Sequence, residues 1–134
     1  METSCTFSVE EFVPGEWEPE IRTALGTGNA RMVKVFEGGL AGRSVTQFSF
    51  CFDNDTGVGS YVATESFDGT VDGRRGAFNF IHSATTLGSG ERLHDLFVIV
   101  PQSGTDELAG ISGTGALVID ADGTHRITLD YELR

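Results

Sequence analysis

The sequence predicts an all-β protein: a single domain of eight antiparallel strands that close into a barrel. Apolar and polar residues alternate with a period of two along most of the 134 residues, and helical periodicity is hard to find. The chain has 18 glycines and 10 phenylalanines but only 3 prolines, which is typical of short strands turning sharply around aromatic packing. Closing the sheet into a barrel removes the exposed edges of an open sheet.

The alternation locates the strands in order along the chain. It is clearest in the third strand, where Phe48, Phe50 and Phe52 share one face. The sixth strand ends in a nearly continuous apolar run up to Val100, as expected of a strand buried on both faces. The predicted strands lie around residues 5–9, 31–37, 44–52, 61–67, 78–82, 93–100, 116–119 and 126–133.

Glycine-rich connections separate these strands, and three of them resemble one another. The segment Phe36–Arg43 is echoed by Phe67–Arg74 and, in shortened form, by Leu108–Gly113. Each contains the end of a strand, a glycine, an apolar residue, a second glycine and the start of the next strand. We interpret the repeat as a tight corner where an apolar side chain seals one end of the barrel. Chance similarity in a glycine-rich chain is the alternative.

Residues 13–30 interrupt the strand pattern. They contain Pro14, Pro19 and the single tryptophan, Trp17, without any clean alternation. We predict a long loop here, with a helical turn around residues 20–25 and with Trp17 packed down onto the barrel. A loop of this length either covers one barrel mouth as a lid or packs on the surface without a function of its own.

The charge and the cysteines narrow the classes of partner. Twenty acidic and nine basic residues give a net charge of −11, which disfavours binding to nucleic acid or to an anionic membrane surface. Cys5 and Cys51 both fall in predicted strands and indicate reduced, buried thiols rather than a disulfide framework. No secretory signal or membrane-span-length apolar segment is visible, so we predict a cytoplasmic protein. The sequence does not determine the oligomeric state, and both a monomer and a homo-oligomer are compatible with it.

Several familiar catalytic signatures are absent from the sequence. There is no G-x-S-x-G elbow, no Walker sequence and no complete dinucleotide fingerprint. The three histidines, His82, His94 and His125, are too widely spaced to predict a metal site. We therefore predict neither a cofactor nor a metal.

The candidate catalytic residues are Glu65 and His82, which share strand faces with aromatic residues on two adjacent predicted strands. If those faces point inward, a carboxylate and an imidazole project into an apolar interior from neighbouring strands. Such a pair can serve as general acid and base near neutral pH. Alternatively, the two groups form a structural hydrogen bond that satisfies both inside the core.

A set of aromatic and acidic residues is predicted to contact a ligand in the barrel. Asp95 belongs to this set because it interrupts an apolar strand face formed by Leu93, Phe97 and Ile99. Whether the aromatic residues line a pocket or fill a solid core is left open by the sequence. The predicted ligand-binding residues are Trp17, Phe48, Phe50, Tyr61, Phe67, Phe78, Phe80 and Asp95.

Three segments resemble blocks of the DUF3224 family of small bacterial domains. Glu65–Gly69 looks like the family's E-x-F-x-G block, Phe80–His82 resembles its strand ending in histidine, and Pro101–Gly110 resembles its P-G-S-G-T-G-x-L-x-G turn. Gln102 and Asp106 stand where that turn has glycines. The resemblance covers essentially the whole chain. It implies an allene oxide cyclase-like barrel, without implying a particular reaction.

Three hypotheses for the function follow. The first is a barrel that binds a small, largely apolar metabolite in its interior. The second is a cofactor-independent cyclase or isomerase that uses Glu65 and His82 as its acid and base. The third is a scaffold or interaction protein without a ligand.

Overall fold

The computed structural model describes residues 1–134 and contains eight strands in one antiparallel sheet. In chain order these are β1 (Glu2–Pro14), β2 (Gly28–Gly38), β3 (Leu40–Phe52), β4 (Val58–Val71), β5 (Arg74–Leu87), β6 (Arg92–Ile99), β7 (Ile111–Ile119) and β8 (His125–Leu133). Each strand pairs with the next, and β8 pairs with β1, so the sheet forms a closed barrel. A single turn of 3₁₀ helix, Asp106–Leu108, precedes β7. The predicted fold class is confirmed.

The two ends of the barrel differ in how their strands are connected. Consecutive strands run antiparallel, so successive connections alternate between the ends. One end carries the tight turns at Gly39 and at Asp72–Gly73, the 100–110 connection and the two chain termini. We call it the closed end. The other end carries the connections 15–27, 53–57, 88–91 and 120–124, and we call it the open end.

A row of glycines crosses the sheet near the closed end. Gly42 pairs with Gly69, and Gly69 pairs with Gly76, across β3, β4 and β5. A Cβ atom on Gly69 would lie 2.1 Å from the carbonyl oxygen of Ala41, so the strands can approach this closely only with glycine there. The apolar residues of the three repeated segments, among them Leu40, Val71 and Ile111, are buried at this end. The structure thus agrees with the interpretation of the repeat as a corner.

A bulge in β6 corrects the predicted burial of that strand. The pairing of β5 with β6 shifts by one residue between Ser83 and Thr85, and His94 opposite the shift has a φ of 55°. An extra residue reverses which face the following side chains occupy. As a result, Leu93 and Asp95 are exposed while Phe97 is buried. The prediction of a strand buried on both faces was wrong, because Leu96 after the bulge is also 49% exposed and only Phe97 and Ile99 are buried.

The bulged strand also separates from its neighbour. β6 and β7 pair at only two positions, Val98 with Thr114 and Ile99 with Gly113. The residues of β6 before Val98 and those of β7 after Thr114 have no partners across this seam. The barrel wall is therefore weakest between β6 and β7 on the open-end side.

The segment between β1 and β2 is shorter than predicted, and its tryptophan lies in a different environment from the one predicted. Strands β1 and β2 extend to Pro14 and from Gly28, so the segment without a strand spans residues 15–27, not 13–30. It contains no helical turn, and Trp17 is 65% exposed instead of packed onto the barrel. No helix in the chain is long and apolar enough to cross a membrane.

Candidate functional site

The barrel interior is filled at the closed end and hollow at the open end. Packed rings such as Phe36 against Phe67 at 5.4 Å occupy the closed half. The open half contains a cavity of about 240 Å³. Its lining is mostly apolar, with a few polar side chains: Phe7, Val9, Met32, Lys34, Phe48, Phe52, Tyr61, Ala63, Glu65, His82, Thr86, Arg92, Phe97, Leu117, His125 and Ile127.

A buried ion pair forms the floor of this cavity. Strand alternation on β4 directs Glu65 inward, where the residue is buried. One carboxylate oxygen accepts a hydrogen bond from Nζ of Lys34 at 2.9 Å, and the other accepts one from the hydroxyl of Ser44 at 2.9 Å. Both oxygens of Glu65 are thus engaged by the barrel itself. Breaking such a pair leaves an uncompensated buried charge.

Sequence reasoning missed Lys34, although the signal was present. Lys34 lies on β2 in alternation with Met32 and Phe36, both of which are buried, so the same period-two rule places the lysine inside. Its ammonium also lies 4.9 Å from the ring centroid of Phe7. A lone lysine on an apolar strand face indicates a buried acidic partner.

A second cluster of polar side chains lies in the cavity wall, nearer the open end than Glu65. It consists of Arg92, Tyr61 and His82. The guanidinium of Arg92 can only donate, so the hydroxyl of Tyr61 accepts a hydrogen bond from it. The same hydroxyl is hydrogen-bonded to Nε2 of His82, 3.2 Å away. Burial, assisted by the positive charges of Arg92 and Lys34, lowers the pKa of His82 to about 4. The imidazole is therefore neutral at physiological pH.

The structure separates the predicted catalytic pair. Glu65 and His82 both line the cavity, but each is hydrogen-bonded to other residues and neither is bonded to the other. On the β4–β5 ladder, His82 faces Ala63, while Glu65 faces Phe80. The hypothesis of a direct Glu65–His82 hydrogen bond was wrong, because each polar group finds a closer partner elsewhere.

The predicted ligand contacts fall into three groups. Phe48 and Tyr61 line the cavity, and Phe50 packs beside Phe48 with ring centroids 5.2 Å apart. Phe67, Phe78 and Phe80 belong to the filled core of the closed half. Asp95 and Trp17 are exposed on the outside. Their positions differ because the bulge at His94 turns Asp95 outward and the 15–27 segment leaves Trp17 in solvent.

The cavity contains no cluster of ligating side chains. His82 and His125 both line it, while His94 is exposed at the bulge. No group of three or more histidine, cysteine or acidic residues in the chain is arranged to hold a metal ion. Burial and the nearby positive charges of Arg92 and Lys34 also lower the pKa of His125.

The chain matches proteins whose activity is not known. A family model described as a protein of unknown function (DUF3224) matches residues 3–131. A crystal structure of a DUF3224-family protein of unknown function from Shewanella oneidensis MR-1 is similar, with 26% identity and a TM-score of 0.87. The alignment covers 100% of this chain and 97% of that one. No curated protein matches the chain. The protein therefore belongs to the DUF3224 family.

Proposed function

We propose that the protein binds one small, largely apolar molecule in the open-half cavity of the barrel. The observation that carries this proposal is a mostly apolar cavity of about 240 Å³ in which the two buried charges of the floor, Lys34 and Glu65, neutralise each other. Lys34 and Ser44 occupy both oxygens of Glu65, so the floor presents no unpaired charge to a ligand. The remaining lining is dominated by apolar side chains, as in most small-molecule sites.

The volume sets the size of the ligand. An apolar cavity of about 150 Å³ accommodates benzene, so by proportion this cavity has room for roughly ten non-hydrogen atoms. The rim residues Phe48, Phe52 and Arg92 are half-buried, which gives a ligand access from solvent at the open end. A medium-sized aliphatic or alkyl-aromatic molecule fits these dimensions.

The enzymatic alternative has weaker support. A cyclase or isomerase of the allene oxide cyclase type would use Glu65 and His82 as acid and base. Both carboxylate oxygens of Glu65 are held by Lys34 and Ser44, which leaves neither oxygen free to face a substrate. Burial lowers the pKa of His82 to about 4, which makes its imidazole a weak base at neutral pH. A ligand-free scaffold is the third alternative, but it leaves the cavity without a role.

Binding is tested with neutral molecules of the right size. Toluene, butylbenzene and 1-octanol are titrated into the protein by calorimetry, and thermal unfolding is measured in parallel. We expect saturable binding of one molecule per barrel and a raised unfolding temperature, since a ligand that binds only the native state stabilises it.

Matched variants locate the binding. Ala63 lines the cavity, so Ala63→Phe, or the smaller Ala63→Leu, should fill it and abolish binding. Thr64→Phe adds the same ring to the exposed face of β4 and should leave binding unchanged. Absence of binding to the native protein, or equal binding by the Ala63 and Thr64 variants, contradicts the proposal.

A further inference from the structure

We propose that the preferred ligand carries one carboxylate in addition to its apolar part, and that Arg92 binds this carboxylate. The inference rests on the proposed function and specifies the chemistry of its ligand. Arg92 lines the cavity because the bulge at His94 reverses the alternation of β6, which brings residue 92 to the inner face. The guanidinium therefore reaches the cavity beside Tyr61 and His82.

The position of Arg92 sets it apart from the other arginines. Arg31, Arg75, Arg126 and Arg134 each lie within 4 Å of a carboxylate. The arginines without such a partner are Arg22, Arg43, Arg74 and Arg92, and of these only Arg92 is half-buried. The one carboxylate that lines the cavity, Glu65, is paired with Lys34, so Arg92 is partly desolvated without an anionic partner. In a chain with 20 acidic residues, this arrangement indicates a site for the anionic group of a ligand.

Among the charged side chains that line the cavity, only Arg92 has a charge that no other side chain balances. Lys34 and Glu65 cancel each other across 2.9 Å. His82 is neutral at physiological pH, since burial holds its pKa near 4. The protein partner of Arg92 is the hydroxyl and ring of Tyr61, and the ring centroid lies 5.5 Å from the guanidinium carbon. A single positive charge thus remains, and a ligand with one negative charge balances it.

A carboxylate fits this site better than a phosphate. The planar guanidinium donates two parallel hydrogen bonds to either group. However, a phosphate monoester carries close to two negative charges at neutral pH, and only one positive charge is free in the cavity. The net charge of −11 also opposes the approach of every additional negative charge. A half-buried Arg92 at the rim places the carboxylate at the mouth, with the apolar chain extending toward Ala63 and Ile127.

Molecules that share a chain and differ in the head group test the proposal. Octanoate, 1-octanol, octylamine and octyl phosphate are compared by calorimetry on the native protein at neutral pH. Octanoate is expected to bind at least about tenfold more tightly than 1-octanol, because its carboxylate forms a charge-assisted hydrogen bond with a partly desolvated arginine. Octylamine and octyl phosphate are expected to bind more weakly than octanoate.

Two variants assign the preference to Arg92. Arg92→Gln should lose the preference for octanoate over 1-octanol while its affinity for 1-octanol is retained, and Arg92→Lys should restore part of it. Arg43→Gln removes the same charge from an exposed arginine and should keep the full preference. Circular dichroism confirms that each variant is folded.

The outcomes distinguish this inference from the proposed function. Equal affinity of the native protein for octanoate and 1-octanol, tighter binding of octyl phosphate, or an unchanged preference in Arg92→Gln overturns the carboxylate assignment alone. If the native protein binds none of the four molecules, both the inference and the proposed function fail.

Discussion

Lys34 and Glu65 carry opposite charges into the barrel, where their side chains are 8% and 2% exposed. Removing both ions from water has a large desolvation cost, which their attraction and the Ser44 hydrogen bond offset. The intact pair is therefore expected to add little net stability compared with two apolar residues of similar size. Removing only one member leaves the other charge buried without a partner.

A double-mutant cycle measures this dependence. Lys34→Met and Glu65→Leu are each expected to lower the free energy of unfolding by about 3–5 kcal/mol, and the double variant by much less than the sum. Chemical denaturation gives the three values. A parallel cycle between Glu65 and His82 should show a much smaller coupling, because those residues are not bonded to each other. Additive effects of the Lys34 and Glu65 substitutions contradict this account of the ion pair.

His82 makes the stability depend on pH in a defined direction. Burial lowers the pKa of the folded imidazole from 6.5 to about 4, so the unfolded chain binds a proton at a higher pH than the folded one. The free energy of unfolding should therefore fall as the pH decreases from about 6.5 towards 4, by roughly 3 kcal/mol in total. Above that range His82 is neutral in both states and should contribute no pH dependence.

The measurement compares the native protein with His82→Phe between about pH 7.5 and 5, a window that spans the ordinary pKa of histidine. The variant lacks the titrating imidazole, so its stability should decrease less over this window. A slope equal to that of the native protein means that the imidazole of His82 is not kept neutral by burial.

Among the elements, the connection between β6 and β7 shows how a turn keeps its geometry after its glycines are replaced. Gln102 and Asp106 stand where the related pattern has glycine, and their φ values are 67° and 53°. The turn is held against β5 by Ser103 and Thr105, whose hydroxyls accept hydrogen bonds from the amides of Asn79 and Ala77 at 3.0 Å each. The backbone conformation is thus retained with side chains that disfavour it.

Replacing Gln102 by glycine should stabilise the protein. A non-glycine residue in the left-handed region costs about 1–2 kcal/mol, and glycine costs about 0.5–1 kcal/mol in chain entropy, so Gln102→Gly should gain about 0.5–1 kcal/mol. Gln47→Gly, at an exposed position in β3, is the control and should lose a similar amount. Chemical denaturation compares the two, and destabilisation by Gln102→Gly contradicts the account of the turn.

The strands β4 and β6 show which features of the fold can be predicted from the sequence and which cannot. Perfect alternation in β4 places Tyr61, Glu65 and Phe67 on the inner face, as the residues alone predict. The same rule fails in β6, because a bulge at His94 has no sequence signal such as a glycine and reverses the face of Asp95. Alternation also identifies inward polar residues without identifying their partners, which lie on other strands.

At the scale of the whole molecule, the barrel combines a solid half with a hollow half. Glycines allow the strands to approach at the closed end, where Leu40, Val71 and Ile111 fill the interior. The number of strands and the aromatic composition are readable from the sequence, but the remaining volume depends on how side chains from opposite walls meet. The cavity and the Lys34–Glu65 pair in its floor are products of that long-range packing.

The central claim is that this cavity binds a small apolar molecule, and its location is tested most directly by NMR. Isotope-labelled protein is titrated with 1-octanol, and contacts between ligand and protein protons are recorded. We expect saturable shifts at Ala63, Phe97 and Leu117, with nuclear Overhauser contacts from the octyl chain to the Ala63 methyl group. Shifts confined to the outer surface, such as at Val62 and Val118, or no shifts at saturating ligand, would contradict the claim.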